Sequence, residues 1–234
     1  MMEHWINILE TNCDPAREDE YNDWYGNIHV PDILLTPGFV RARRYLNKEF
    51  RDGRGKYMAL YEIETDDIEK TMQIRLERRA QEHSQGRSSA SRPNFSFALW
   101  RDVLFKQIFE SKVPANSTSQ TGKWLNFVEQ NCDPVREAEY HEWCNNMHMP
   151  DILLTPSFVG AQRFQIKDFR DGRGKYLHVY EIETDDIDAA MKLRLEKRAH
   201  EASLGRDSVS RNRLTRPVWR DVLWQQISDQ KAKT

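Results

Sequence analysis

The chain repeats itself. Trp5 and Trp124, His29 and His148, and Trp100 and Trp219 are each 119 positions apart, and the register holds from Trp5 to Ile108 without a gap. A chain of 234 residues can form one large domain or two small ones. The repeat selects two, residues 1–110 and 123–234, joined by a linker at 111–122 whose Ser, Thr, Lys and Pro114 suit an irregular connection. Modules this small bury a low fraction of their surface, so a large interface between them inside one chain is expected.

Each copy shows the same order of signals. Trp5 to Glu10 is a short apolar run with strand character, ended by Asn12-Cys13-Asp14-Pro15, where Asp before Pro starts a helix. Tyr21, Trp24, Tyr25 and Ile28 follow at helical spacing, and Pro31 is expected to break or kink that helix. Phe39 to Leu46 and Tyr57 to Glu64 alternate as strands, with Arg51-Asp52-Gly53-Arg54-Gly55 as a hairpin between them. Asp66 and Glu69 form a capping box for a helix facing the core with Ile68, Met72, Leu76 and Ala80, and Trp100 to Ile108 closes the copy as a strand. The fold class is α+β: two ferredoxin-like βαββαβ modules, each with one sheet face uncovered, packing sheet to sheet as an intrachain α/β barrel. The two copies are expected to act as a pseudo-dimer, with a further homodimer possible.

Charge and composition exclude several classes. Lys and Arg number 35 against 37 Asp and Glu, with signs interspersed, so nothing favours nucleic acid or an anionic membrane. No stretch approaches the roughly 20 apolar residues of a membrane span, and a cytoplasmic location is expected. Hydrophobic residues make up only 38%, but seven Trp, eight Tyr and ten Phe supply large buriable groups. Cys13, Cys132 and Cys144, an odd count, are expected to be reduced thiols. No phosphate loop, zinc spacing or nucleophile elbow occurs, and neither metal nor cofactor is expected.

The run from Glu20 to Phe39, with His29-Val30-Pro31-Asp32 and Pro37-Gly38-Phe39 inside it, resembles the helix and loop signature of the dimeric α/β-barrel superfamily, most closely its EthD-like branch. The second copy carries Tyr140, Trp143, His148, Pro150, Asp151, Pro156 and Phe158 in the same places, with Cys144 for Tyr25 and Ser157 for Gly38. The resemblance implies the barrel fold and a range of activities: cofactor-free isomerases, dehydratases, cyclases and monooxygenases, and haem-using enzymes. Fold alone does not choose among them.

Candidate residues follow from position. Tyr21, Tyr25 and His29 lie at i, i+4 and i+8, and Tyr140, Cys144 and His148 repeat the trio. A histidine beside a proline break suits acid/base work, and Asp32 or Asp151 could orient it as a carboxylate does in other His sites. The plainer reading makes the aspartates helix caps and the tyrosines core. Asn7 and Asn126, amides in an apolar strand, could hold a substrate carbonyl or satisfy a bulge. Trp24 and Trp143 could wall a planar ligand or fill the core, as could Trp100 and Trp219. On the second strand Arg44 and Arg163 are kept among small groups and are expected to meet a carboxylate or an anionic ligand. On its other face Arg41, Arg43 and Tyr45 become Gly160, Gln162 and Phe164, so that face is either solvent or the wall of two unequal pockets. His178 for Ala59 is a further asymmetry.

The leading functional expectation is a cofactor-independent dehydratase, cyclase or isomerase acting on a small apolar or aromatic carbonyl compound, with the histidines as acid/base groups and Tyr21 and Tyr140 as donors. The alternatives are a haem- or oxygen-handling monooxygenase-like protein and a non-catalytic small-molecule-binding module.

Overall fold

A computed structural model describes residues 1–49, 55–92, 95–96, 101–113, 122–170 and 174–233. The tips of both Arg-Asp-Gly-Arg-Gly hairpins, Trp100 and most of the expected linker lie outside the described residues. The chain forms two compact units, one of Met1–Lys106 with Gln226–Thr234 and the other of Gln107–Gln225.

The first unit begins with β1 (Glu3–Thr11), α1 (Glu18–Trp24) and α2 (Val30–Leu34), continues through β2 (Phe39–Asn47), β3 (Tyr57–Thr65) and α3 (Ile68–Ser84), and includes the start of β4 (Arg101–Lys112). β3 lies between β1 and β2, antiparallel to both, and β4 pairs with the other edge of β1. The end of the chain joins the free edge of β2: Ala232 donates its backbone N–H to the Val40 carbonyl at 2.9 Å, and Arg41 forks onto Asp229 at 2.8 and 2.6 Å.

The second unit repeats the order with β5 (Lys123–Gln130), α4 (Glu137–Trp143), α5 (Met149–Leu153), β6 (Phe158–Ile166), β7 (Tyr176–Glu183), α6 (Ile187–Ser203) and β8 (Arg220–Lys231). Here the end of β4 meets β6, through Val113 to Val159 and Gln162 to Glu110. Followed through its hydrogen bonds, the strand order is β1-β3-β2-β8-β5-β7-β6-β4, a closed antiparallel barrel. No helix among the described residues is long and apolar enough to cross a membrane.

The helical segment before β2 departs from the expected break. Asp14 caps as read, accepting from Ala16 N at 2.9 Å, but Pro31 does not end the helix. Instead residues Tyr25–His29 form one π-helical turn, in which the Val30 N–H reaches back five residues to the Tyr25 carbonyl. Proline has no N–H to give and its ring crowds the preceding turn; a widened turn just upstream lets the helix continue. Cys144–His148 do the same ahead of Pro150.

Two further details differ from the sequence reading. The cap of α3 is Asp67, accepting from Lys70 N at 3.0 Å, so the Asp66–Glu69 box is not the one used. The helix turns Leu76 outward and buries Thr71, Arg75 and Glu82, because Arg75 and Glu82 neutralise each other through two charge-assisted hydrogen bonds. All three cysteines are free and buried.

The turn into β2 needs a left-handed residue. Gly38 has φ 91° there, and an added Cβ would meet the Glu64 carbonyl oxygen at 3.2 Å and Thr71 Cγ2 at 3.3 Å. Gly38→Ala is therefore expected to cost about 1–2 kcal/mol. Ser157 already holds φ 74° at the equivalent position. Ser157→Gly is expected to change stability in the opposite direction, by about 0.5 kcal/mol after the glycine's extra unfolded-state entropy. Urea denaturation of the two variants checks the pair of signs.

Candidate active site

The π-turn decides what stands beside His29. Residues five apart share a face across such a turn, so the His29 ring stacks on Trp24 with centroids 4.6 Å apart and planes 19° apart. The Tyr25 ring meets it edge to face at 4.8 Å. Trp24 is fixed in turn because its Nε1 donates to the Arg87 carbonyl at 2.8 Å. His29 remains partly exposed, and among the described residues its ring nitrogens have no hydrogen-bond partner.

Behind it lies a buried aromatic and polar layer from β3 and α1. Tyr25 and Tyr61 share a hydrogen bond between their hydroxyls at 3.1 Å, and Tyr21 pairs with Thr11 at 2.6 Å. Arg44, only 4% exposed, lies with its guanidinium 4.1 Å from the centre of the Tyr25 ring, 5.4 Å from that of Tyr57 and 5.6 Å from that of Tyr21, and donates to Asn22 Oδ1 at 2.9 Å. Of the two expected partners, a carboxylate or an anionic ligand, no carboxylate pairs with it among the described residues. Cation–π contacts and an amide oxygen hold the charge instead.

The electrostatics follow from this burial. The His29 imidazole is pushed down to about 3, first by burial and then by the positive charges of Arg75, Arg44 and Arg79. It is a neutral acceptor at physiological pH. Burial pushes the Tyr25 and Tyr61 hydroxyls up, so both stay protonated donors.

The second unit keeps the frame and changes the network. His148 stacks on Trp143 at 4.7 Å and is likewise pushed down to about 3 by burial, then by Arg194, Arg198 and Arg163. Its Nε2, however, lies 3.1 Å from the Tyr180 hydroxyl. That hydroxyl lies 3.2 Å from His178 Nδ1, and His178 Nε2 lies 3.0 Å from the Tyr140 hydroxyl and 3.4 Å from Arg163 Nε. Gln130 closes the chain by donating to Tyr140 at 3.1 Å. Arg163 is fully buried, and its other nitrogens meet Asn145 Oδ1 at 2.6 Å and His141 Nδ1 at 3.0 Å.

Several expected roles move. Asp32 accepts both hydrogen bonds of Arg87, at 2.8 and 2.7 Å, and Asp151 accepts those of Arg206 at 2.9 and 2.6 Å; each carboxylate anchors the loop after the long helix and leaves the imidazole unbraced. Asn7 donates to Asp102 at 2.8 Å and to the Val103 carbonyl at 3.3 Å, and Asn126 makes the matching bonds to Asp221 and Val222, so these amides tie strands together. Trp219 is exposed. The altered face of β2 is not solvent: Arg43 and Tyr45 are buried there, with Arg43 paired to Glu62 at 2.7 Å. Tyr61 and Tyr180, which complete each site, escaped notice because a tyrosine in an alternating strand reads as core; their shared face with Ala59 and His178 was the available signal.

Among the described residues neither histidine has the brace usual for an axial haem ligand. An axial histidine ordinarily gives its second nitrogen to a carboxylate or carbonyl. His29 has no such brace, Asp32 being held by Arg87, and His148 already has Tyr180 on Nε2. Among the described residues no group of three or more His, Cys, Asp or Glu is placed to hold a metal ion.

No family model and no curated protein sequence matches this chain. Solved structures do. An anthrone oxidase-like protein superposes with a TM-score of 0.61 at 13% identity, covering 99% of this chain and 94% of the other. A candidate monooxygenase from Lactobacillus acidophilus NCFM gives 0.62 at 7% identity, covering 98% and 97%. Chlorite dismutase from Candidatus Nitrospira defluvii, in complex with imidazole, gives 0.58 at 11%, covering 96% and 91%. These neighbours belong to the dimeric α/β-barrel superfamily, and identities this low show a shared fold alone.

Proposed function

We propose that the chain is an acid/base enzyme for a small planar carbonyl compound of aromatic or apolar character. His29 takes the proton next to the carbonyl, and the negative charge that develops on oxygen is met by the one hydroxyl proton that the Tyr25–Tyr61 pair leaves over and by the field of buried Arg44. The observation that carries this reading is the His29 imidazole: neutral, partly exposed and against Tyr25, on whose ring Arg44 lies, with no partner for its nitrogens and no carboxylate on that guanidinium among the described residues. A buried cation held by rings and an amide keeps its field available to an anion that forms nearby.

The likeness to an anthrone oxidase-like protein and to a candidate monooxygenase supports a substrate whose enolate reacts with dioxygen, deprotonation being this chain's own contribution. Dehydratase, cyclase and isomerase chemistry would use the same base and differ only in the fate of the anion. The repeat of 119 residues and the His-Val-Pro-Asp signature support the tandem-module, EthD-like reading.

The test is turnover of anthrone, a tautomerisable aromatic ketone, followed by absorbance and by oxygen uptake in air and under nitrogen. Turnover only in air gives the oxygenase outcome, and isomerisation under nitrogen the cofactor-free lyase or isomerase one. With the base pushed down to about 3, kcat/KM is expected to be flat from about pH 5 to pH 8. A rate that instead falls with a midpoint near the ordinary histidine value of about 6.5 means that the base is an imidazole that charges in the native state. Absence of any turnover of such ketones under both atmospheres overturns the reading.

A further inference from the structure

The two units differ by a reciprocal exchange: the buried pair of π-turn and strand residues is Tyr25 and Ala59 in the first, and Cys144 and His178 in the second. A large side chain from the π-turn with a small one from the strand becomes a small one with a large one. The two large rings fill matching places. Tyr25 lies against the Arg44 guanidinium and bonds the Tyr61 hydroxyl; His178 lies against the Arg163 guanidinium and bonds the Tyr180 hydroxyl.

The exchange fixes who holds the second tyrosine's proton. An arginine can only donate, so Arg163 Nε makes His178 Nε2 an acceptor and leaves the ring proton on Nδ1. That proton points to the Tyr180 oxygen, and the Tyr180 hydroxyl in turn donates to His148 Nε2. The lone pair that a base would use is therefore engaged in the second unit. In the first unit the Tyr61 hydroxyl is paired with that of Tyr25, and among the described residues the His29 lone pair stays open.

Resting on the acid/base reading above, we infer that Tyr25 is the positioning residue that makes the first unit the working one, by keeping the Tyr61 hydroxyl off His29, and that the second unit's His148 is retired by the Tyr180–His178 pair. The two copies have thus divided: one histidine is left reactive and the other serves as packing.

Diethyl pyrocarbonate, which acylates unprotonated imidazole nitrogen, reads this without any substrate. Labelling at pH 7 is followed by peptide mass spectrometry of the intact, folded chain. His29 is expected to react about tenfold faster than His148, the factor that one hydrogen bond of ordinary strength imposes. Tyr25→Phe removes only a hydroxyl and releases Tyr61, so the His29 rate is expected to fall toward that of His148. The pair Cys144→Tyr with His178→Ala is expected to raise the His148 rate toward that of His29. Equal rates in the unaltered protein overturn the inference, as does a His29 rate that Tyr25→Phe leaves unchanged, and neither result needs the double variant to fold. A fast His29 in a protein that turns over no ketone removes the functional reading and leaves the division between the units standing.

Discussion

His29→Gln is expected to lower kcat/KM on a tautomerisable aromatic ketone by about 10²–10⁴-fold, the range that a positioned general base supplies. Glutamine keeps a flat polar group against Trp24 but has no lone pair basic enough to take a carbon-bound proton. The base acts in the transition state, so kcat should fall and KM stay near its starting value. His148→Gln is expected to change the rate by less than about threefold, because its acceptor nitrogen already holds the Tyr180 hydroxyl. Steady-state kinetics on the two single variants decide the matter. Equal losses would mean that both units work, and a KM effect alone at His29 would make it a binding residue.

Acidifying the protein from pH 7 to pH 5 is expected to remove at least about 4 kcal/mol of folding stability. His29 and His148 are each pushed down from 6.5 to about 3. Below pH 6.5 the unfolded chain binds protons at these positions and the native chain does not, so stability is full above that value and falls as the pH drops toward 3. The pH 5 endpoint lies about 1.5 units inside that window, roughly 2 kcal/mol for each histidine. Burial also holds His178 well below its ordinary value, which adds to the same slope. Glu18 and Glu137, held below the usual carboxylate range by Lys56 and Lys175, lose their contribution only beneath about 4.5 and do not enter this window. Urea unfolding at the two pH values measures the difference, and His29→Gln should reduce it by about 2 kcal/mol. A stability that does not change between pH 7 and pH 5 would mean that the imidazoles charge in the native state.

What could be read from the chain, and what could not, divides by the range of the interactions. Alternation in Phe39 to Leu46 and Tyr57 to Glu64 announces strands because a pleated strand sends neighbours to opposite faces, and the described strands fall there. Asp14-Pro15 marks a helix start because both effects are local. The π-turn is silent: it adds one residue to a single turn, and no apolar periodicity records that. Its consequence, Trp24 stacked on His29 five residues later, follows only once the turn is known. The histidines were legible from their place before a proline, but their neighbours were not. Asp32 lies three residues from His29 and 55 from Arg87, and the distant partner holds it, with two parallel charge-assisted bonds. Arg44 was expected to need a carboxylate because isolated charges are costly to bury, and three tyrosine rings from separate segments supply what sequence spacing cannot show.

The membership of the two units bears on the order in which the chain can be finished. The second unit, Gln107–Gln225, is one unbroken stretch, whereas the first opens the chain and also needs Gln226–Thr234 to extend its sheet beyond β2 through Ala232 and Asp229. Domains made on a ribosome usually mature from the N-terminus onward. Here the part that emerges first is completed last, and the nascent edge of β2 waits unpaired while the whole of the second unit is being made.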